Sequence, residues 1–236
     1  MEAEEFSKNF PLFNAGSAES LTATLAVSWQ NQHPAGHSIL RADAWGKAVY
    51  FILRGWVKVR QRQTSGDDST LAILGPGEFF GEMSVLDEAP RSTDVVSLSE
   101  MEVLCVPAQK FTQLLIGDPQ LHYRFLQLMV RRVRQANLRF EFQRQPPAAK
   151  LANTLVSLGN NYGHRHPEIA ENPTLGIVIF NIPIKDLADV SDTSVEDTAK
   201  IMTTLASKGW LEIDHSTQQL YLLNFPQLMQ LAGQIL

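Results

Sequence analysis

Short apolar runs, interrupted by glycine and proline, follow one another between Pro34 and Pro107. Several alternate apolar with polar positions, as at Val57 and Val59. Runs of this length and spacing predict an antiparallel sandwich or barrel. The predicted strands are residues 38–40, 48–53, 56–60, 71–74, 93–98 and 101–106, with a polar turn at 64–69. Before them, residues 5–32 carry apolar positions at helical spacing and predict short amphipathic helices.

From residue 109 onward, helical spacing replaces the strand pattern. A short helix is predicted over 109–116 and a long one from about 119 to 145, where Pro146-Pro147 stops it. The long helix has an apolar stripe at spacings of three and four, formed by Phe125, Met129, Val133, Ala136 and Phe140. In a single-domain protein such a stripe packs on the core. Because arginines occupy the other faces, we favour a parallel two-stranded coil, and therefore a homodimer.

The last third of the chain mixes helices with short β runs. Helices are predicted over 148–159, 184–190 and 194–208 and after Pro226, and strands over 177–180, 210–213 and 219–223. Residues 160–174 form a polar connection. Thr193 is followed three residues later by Glu196, which fits a capping box with Thr193 as the N-cap.

Length and composition indicate two modest domains of an ordinary globular protein. The chain has 236 residues, 44% of them hydrophobic, and a formal charge of −5, so any affinity for nucleic acid must come from a local patch. We divide it into residues 1–118, a long helix at 119–145, and residues 146–236. No run approaches the roughly 18 apolar residues of a membrane span, and the acidic start is unlike a signal peptide. A cytoplasmic location is therefore expected.

The chemistry-bearing residues argue against catalysis. The single cysteine, Cys105, excludes an internal disulfide and a cysteine-ligated iron–sulfur cluster. His164 and His166 have no partners at metal-ligand spacing, so no metal site is predicted. The sequence contains no nucleophile–base constellation. The protein is therefore predicted not to be an enzyme.

The segment 77–93 is the one long irregular insertion among the predicted strands, and it carries candidate ligand contacts. Gly81 permits a close approach of the backbone to a ligand. Glu82 can accept hydrogen bonds from a ribose, while Arg91 and Ser92 can donate to phosphate oxygens. These features describe a nucleotide pocket. The alternative is a tight turn at Gly81-Glu82, with Arg91 paired at the surface to Asp87 or Glu88.

Phe80-Gly81-Glu82-Met83-Ser84 together with Pro90-Arg91-Ser92-Thr93 resembles the phosphate-binding cassette of cyclic-nucleotide-binding domains. The surrounding sequence is similar to the bacterial Crp/Fnr family of transcription regulators. The resemblance implies an α+β protein with an N-terminal β-roll of the jelly-roll type, a long dimerisation helix and a C-terminal winged helix-turn-helix. It also implies a set of ligand-binding residues, namely Gly81, Glu82, Met83, Ser84, Arg91, Ser92 and Thr93, with Ala136 and Asn137 at the two positions that contact adenine in cAMP-responsive members.

The same resemblance places DNA contacts at the start of the helix predicted over 194–208. The implied residues are Thr193, Ser194, Val195, Glu196 and Lys200, although Val195 stands where the family usually carries an arginine. Residues 177–236 hold three lysines, no arginine and seven acidic residues, whereas residues 124–150 hold six arginines, one lysine and one acidic residue. The positive charge is therefore expected on the long helix, away from the DNA-contacting helix.

The function implied is that of a homodimeric transcription regulator that responds to a cyclic nucleotide, with cAMP as the expected ligand. It would bind double-stranded DNA at a palindromic site, with RNA polymerase or another regulator as a candidate protein partner, and it needs no cofactor. The alternative is a ligand sensor that acts through a protein partner, with weak or no specific DNA binding by its winged domain.

Overall fold

A computed structural model describes residues 3–62, 68–142, 144–165 and 176–233. The chain divides into two compact units, residues 1–138 and 139–236. None of the helices in these described ranges is both long enough and apolar enough to cross a membrane. The finer division at residues 118 and 145 stays a prediction.

Two four-stranded antiparallel sheets form the body of the first unit. Their strands run β1 (Trp29–His33), β2 (Ser38–Leu40), β3 (Ala48–Arg54), β4 (Val57–Arg62), β5 (Asp68–Leu74), β6 (Phe79–Phe80), β7 (Asp94–Ser97) and β8 (Met101–Pro107). One sheet has the order β1-β8-β3-β6 and the other β2-β7-β4-β5. Apart from the consecutive pair β4 and β5, neighbouring sheet positions are filled by strands that are not consecutive in sequence, which is the topology of a jelly roll. The predicted antiparallel β-roll is confirmed.

Helices cover one side of this roll. They are α1 (Ala3–Asn9), a 3-10 turn (Phe13–Ala15), α2 (Ala18–Leu25), the four-residue α3 (Met83–Leu86), α4 (Ala108–Gly117) and α5 (Pro119–Phe142). Phe6, Phe10 and Phe13 are fully buried and pack their rings on Phe51 of β3, with ring centroids 5.1–5.9 Å apart. Burial of these aromatic rings supplies much of the apolar area that holds the N-terminal helices to the sheet.

Two local expectations in this unit were wrong. Residues 29–32 were expected within helices, but they belong to β1, because the β1 backbone pairs with β8 in the register Trp29↔Cys105 to His33↔Met101. The polar turn expected at 64–69 is shorter, since Asp68 and Ser69 pair with Arg62 and Gln61. Residues 63–67 lie outside the described ranges.

The long helix α5 does not present the predicted apolar stripe as one exposed seam. Phe125 is buried and Met129 packs against the same core cluster of the β-roll, whereas Val133 is exposed. The side chain of Phe140 lies outside the described set. A different series on α5 is exposed, made of Tyr123, Leu126, Val130 and Val133 at spacings of three, four and three. The predicted stripe therefore mixes a core-facing row with a solvent-facing one.

In the described residues of the second unit, a small sheet is joined to four helices. Its elements are α6 (Pro147–Tyr162), β9 (His164–Arg165), β10 (Ile177–Phe180), α7 (Ile184–Ser191), α8 (Val195–Ser207), β11 (Leu211–Asp214), β12 (Gln219–Leu222) and α9 (Phe225–Leu231). The sheet order is β11-β12-β10-β9. A buried apolar row of α6 includes Leu151, Leu155 and Val156. Pro147 begins α6, as proline can at a first helical position, and the helix runs into the connection expected at 160–174.

Helix α7, a three-residue turn and helix α8 form the helix-turn-helix. Asp192 ends α7 in the left-handed conformation at φ 52°. The N-cap of α8 is Ser194, whose hydroxyl accepts a hydrogen bond from the Asp197 N–H at 3.0 Å. The prediction of Thr193 as N-cap was therefore wrong by one residue. The Thr193 hydroxyl lies 2.9 Å from that of Ser191 and 2.7 Å from that of Thr198, so it ties the turn to both helices.

Candidate functional site

Gly81 and Glu82 lie between β6 and α3, where the chain turns into the cassette. Gly81 has φ 86°, and a Cβ at this position would lie 2.6 Å from Nη1 of Arg91. Both the backbone conformation and the close approach therefore require glycine. Glu82 follows as the residue before α3, and its side chain is 7% exposed.

Arg91 is the buried cation of the site. It is 5% exposed, and its guanidinium donates to the carbonyl oxygen of Gly81 and, at 2.8 Å, to that of Ala48. Burial lowers the pKa of this guanidinium, while the nearby Tyr50 and Glu82 oppose that shift. Carbonyl oxygens accept the hydrogen bonds of the guanidinium but do not neutralise its positive charge. A buried arginine held in this way can therefore bind an anion. The alternative of a surface pair with Asp87 or Glu88 is excluded by this burial.

Ser84 and Gly46 complete the surroundings of Arg91. The Ser84 Oγ is buried and has no hydrogen-bond partner among the described residues. A Cβ on Gly46 would lie 2.4 Å from that Oγ and 3.0 Å from Arg91 Cζ. The loop between β2 and β3 therefore approaches both side chains closely. A buried hydroxyl without a partner beside a buried cation is the arrangement that a phosphate oxygen would satisfy.

Glu82 is held by an arginine that the sequence analysis did not assign to the site. Arg132 of α5 contacts Glu82 Oε1 at 2.8 Å and Glu78 Oε2 at 2.6 Å, and it donates to the Phe79 carbonyl at 2.7 Å. Its Cζ also lies 4.2 Å from the centre of the Phe79 ring. One side chain thus links α5 to both ends of β6. The sequence spacing could have indicated it, because Arg132 lies one helical turn before the predicted base contact Ala136 and so shares its face of the helix.

The other residues predicted for the ligand site are placed less closely together. The Met83 side chain is 66% exposed, Ser92 is exposed and Thr93 is half-buried. Ala136 and Asn137 are exposed on α5. Among the predicted residues, short distances and electrostatic contacts bring together Gly81, Glu82, Ser84 and Arg91. The roles of all nine residues stay predictions.

A ring pair and a buried acid brace the site from the two sheets. Tyr50 of β3 stacks on Phe80 of β6 with ring centroids 5.2 Å apart. Asp94 of β7 is 1% exposed and accepts hydrogen bonds from Arg60 Nη2 at 2.7 Å and Arg62 Nε at 3.1 Å. It also accepts from the Ala42 N–H at 2.8 Å, which fixes the start of the loop that passes over Arg91.

The candidate DNA-contacting residues lie at the exposed start of α8. Val195 is 51% exposed, and Glu196 and Lys200 form an exposed salt bridge of 2.6 Å on one face of the helix. Ser194 caps the helix, and Thr193 is half-buried in the turn. Among the described residues, no group of three or more His, Cys, Asp or Glu is arranged to hold a metal ion.

Comparison with known proteins agrees with this architecture. The model of the cyclic nucleotide-binding domain matches residues 30–118. The Cyclic AMP receptor protein of Thermus thermophilus is 30% identical over 216 residues, which cover 89% of this chain and 92% of that protein. The crystal structure of the Thermus thermophilus Catabolite Activator Protein matches with 26% identity and a TM-score of 0.50, covering 94% of this chain and 98% of its own. FixK2 from Bradyrhizobium japonicum shares the fold, with a TM-score of 0.73 at 16% identity over 89% of this chain and 100% of its own.

Fold and site together define a regulator class, in which a ligand-binding β-roll and a long helix are followed by a winged helix-turn-helix domain. The chain belongs to the Crp/Fnr family of cyclic-nucleotide-binding transcription regulators. The relatives that match three quarters or more of this chain are regulators rather than enzymes, which confirms the prediction against catalysis.

Proposed function

We propose that this protein is a homodimeric transcription regulator that binds cAMP in its β-roll and a palindromic DNA site through its winged domain. The proposal assigns the cyclic phosphate to Arg91, Ser84 and the backbone of the cassette. It assigns the ribose to Glu82 and the base to the face of α5 that carries Ala136 and Asn137.

The observation that carries the ligand assignment is the buried guanidinium of Arg91. The charge of this arginine is compensated only in part by the nearby Glu82, a carboxylate that also pairs with Arg132, and a partly compensated buried charge is costly in a medium of low polarity. A cyclic phosphate would supply the compensating negative charge, and its two exocyclic oxygens can accept hydrogen bonds from the forked donors of a guanidinium. It would also give the Ser84 hydroxyl an acceptor. Inorganic anions lack the ribose to which we assign Glu82.

The contact between Arg132 and Glu82 supports a response of α5 to the ligand. A ribose hydroxyl that donates to Glu82 shares that carboxylate with Arg132, which bonds to it at 2.8 Å. Arg132 lies one turn before Ala136, so the arginine and the proposed base contact lie on the same face of α5. Filling the pocket would thus change the contacts of the helix that we propose to form the dimer.

The choice of cAMP rests on relatives named for that ligand, among them the CRP-like cAMP-activated global transcriptional regulator of Mycobacterium tuberculosis, which is 24% identical over 184 residues. In this chain the two positions expected to contact the base are Ala136 and Asn137, and Asn137 alone offers a polar group. An amide both donates and accepts hydrogen bonds, so it can bind the edge of a purine.

The decisive experiment is a titration of the purified protein with cAMP, cGMP and cyclic di-GMP by calorimetry, repeated with Arg91→Leu. We expect cAMP to bind best. We expect Arg91→Leu to lose roughly 2–5 kcal/mol of binding free energy, as the loss of one partner from a buried charge pair does. The control is Arg54→Leu, which removes an exposed arginine of β3 and should leave the affinity unchanged.

Equal affinity of Arg91→Leu and the unaltered protein would refute the phosphate assignment. If cGMP or cyclic di-GMP binds most tightly, the choice of cAMP as the ligand is refuted, while the assignment of the nucleotide pocket stands. Absence of binding for all three would refute the proposed function.

A further inference from the structure

The loop 41–47, between β2 and β3, crosses the cassette and carries one tryptophan. The Arg91 N–H donates to the Ala44 carbonyl at 2.8 Å, and the Asp43 N–H donates to the Arg91 carbonyl at 2.9 Å. This pair of backbone hydrogen bonds resembles one rung of an antiparallel ladder. Trp45 is therefore the residue immediately after a segment that is paired with the buried arginine.

The loop is also fixed at its two ends. At the start, the Ala42 N–H donates to the buried carboxylate of Asp94 at 2.8 Å. At the end, the Lys47 carbonyl accepts from the Ala108 N–H at 2.9 Å. A loop held by backbone hydrogen bonds on both sides of a residue keeps that residue near one position. Trp45 is thus positioned by the fold.

The residue after Trp45 reaches the interior of the site. Gly46 approaches Ser84 and Arg91 so closely that a Cβ would clash with the Ser84 hydroxyl at 2.4 Å. The backbone beside Trp45 therefore lies against the same two side chains to which we assign the phosphate. An indole attached one residue earlier is within reach of a nucleotide bound there, since its outer ring extends about 6 Å from the backbone.

The indole itself is 67% exposed, the second largest exposure among the large apolar side chains of the described residues. By contrast, Trp56 of the same unit is 8% exposed. Leaving an indole in water forgoes a large apolar contribution to folding. The flat face of an indole is suited to the flat face of a nucleobase, and such stacking contributes about 1–3 kcal/mol per base in proteins that bind single-stranded nucleic acid.

We propose that Trp45 is a ligand-contacting residue whose indole closes over the bound cyclic nucleotide and packs against its purine ring. This inference rests on the proposed function, since it requires a nucleotide in the cassette. It adds a second contact to the base besides the one assigned to α5. It also predicts that a purine cyclic nucleotide binds more tightly than a cyclic phosphate without a base.

The test compares cAMP binding by the full-length protein with that of Trp45→Ala, Trp45→Phe and Trp29→Ala. Trp29, which is 45% exposed on β1, provides the matched control of an exposed tryptophan on the same unit. We expect Trp45→Ala to lower the affinity for cAMP roughly 5- to 100-fold. Trp45→Phe should stay within a few-fold of the unaltered protein, and Trp29→Ala should match it.

Two further measurements separate base contact from other roles of the loop. Ribose 3′,5′-cyclic phosphate, which has no base, should bind the unaltered protein and Trp45→Ala equally. The emission of Trp45, obtained as the difference between the unaltered protein and Trp45→Phe, should change in intensity on saturation with cAMP and become less accessible to acrylamide.

An unchanged cAMP affinity of Trp45→Ala, in a protein that does bind cAMP, would overturn this inference and leave the proposed function standing. An equal loss of affinity for the base-free ligand would overturn the contact with the base. Absence of cAMP binding by the unaltered protein would overturn the proposed function, and this inference with it.

Discussion

At the scale of single residues, the site is a set of charges held in place before any ligand arrives. Arg91 is fixed by the carbonyls of Gly81 and Ala48, and Glu82 is fixed by Arg132. The second contact joins a strand end to a helix that begins more than thirty residues further along the chain. Its strength can be measured without ligand.

A double-mutant cycle with Glu82→Gln and Arg132→Gln should give a coupling energy of about 1–3 kcal/mol in the free energy of unfolding. Glu82 is nearly buried, so removal of Arg132 leaves a carboxylate with reduced compensation. Urea unfolding of the four proteins provides the measurement. The control cycle uses Glu196 and Lys200, an exposed pair four residues apart, for which we expect about 0.3–0.5 kcal/mol. Equal coupling in both cycles would contradict this account.

Asp94 gives a second prediction at this scale, for the dependence of stability on pH. Burial alone would raise the pKa of Asp94, but hydrogen bonds from the Ala42 N–H, Arg60 and Arg62 outweigh it and hold the pKa below its ordinary value. A carboxylate with a lowered folded-state pKa stabilises the fold above its unfolded pKa of about 3.9. That contribution is lost as the pH falls through the folded pKa.

We therefore expect the free energy of unfolding of the unaltered protein to fall as the pH is lowered below about 4. Asp94→Asn should be less stable at neutral pH and should lose less stability over the same acidic range. Urea unfolding at a series of pH values measures both curves. Parallel curves for the two proteins would show that Asp94 contributes nothing to the acid sensitivity.

At the scale of elements, α5 has two apolar faces with different roles. Its beginning is anchored by Asp118, which accepts hydrogen bonds from the N–H groups of Ser17, Gln120 and Leu121. Phe125 and Met129 then pack on the β-roll core, while the exposed seam Tyr123, Leu126, Val130 and Val133 faces solvent in the single chain. Spacings of three and four along an exposed row are those of a two-stranded coil. We assign the proposed dimer interface to this seam.

Leu126→Glu combined with Val130→Glu should convert the protein from dimer to monomer, because four carboxylates would meet along a two-stranded seam. Sedimentation by analytical ultracentrifugation, with and without cAMP, measures the change. Arg131→Glu combined with Gln135→Glu adds the same number of acidic residues at exposed positions of α5 outside the seam, and it should remain dimeric. If the Leu126→Glu, Val130→Glu variant remains dimeric, the dimer interface lies on another surface.

At the scale of the whole molecule, charge is distributed unevenly along the chain. The second unit is acidic from residue 177 onward, and the start of its α8 carries Glu196 and Asp197 with Lys200 paired to Glu196. Nonspecific affinity for DNA depends on the number of phosphates neutralised by basic side chains. This helix can still recognise specific bases, since lysine can donate a hydrogen bond to guanine and glutamate can accept one from cytosine. We therefore expect specific but weak binding.

Selection of bound sequences from a random DNA pool, at saturating cAMP, should enrich a palindrome with half-sites about one helical turn apart. The same selection with Lys200→Ala should enrich the palindrome less strongly. Lys208→Ala, at the opposite end of α8 beside Trp210, should leave it unchanged. The affinity should also fall less steeply with salt than for a regulator that makes many phosphate contacts. No enrichment at low salt would favour action through a protein partner.

The sequence by itself determined the features that depend on local conformation. Gly81 can adopt the positive φ of its turn, which other residues rarely do, and short runs bounded by glycine and proline favour strands. The order of helix, turn, helix and hairpin in the second unit followed from the same kind of signal, as did the long helix. These elements could be predicted because the residues that define each one lie within a few positions of one another.

Only the tertiary structure decided which face of each helix or strand packs on the core, pairs with another element or faces solvent. Phe125 and Val133 look equivalent along α5, yet the β-roll core buries the first and leaves the second in water. Trp29–His33 becomes a strand because β8 pairs with it, and Arg132 becomes part of the site because Glu82 lies opposite it. Even the choice of Ser194 over Thr193 as N-cap depends on hydroxyls of two helices meeting in the turn. Most of these contacts join residues far apart in sequence, so the local sequence pattern does not predict them.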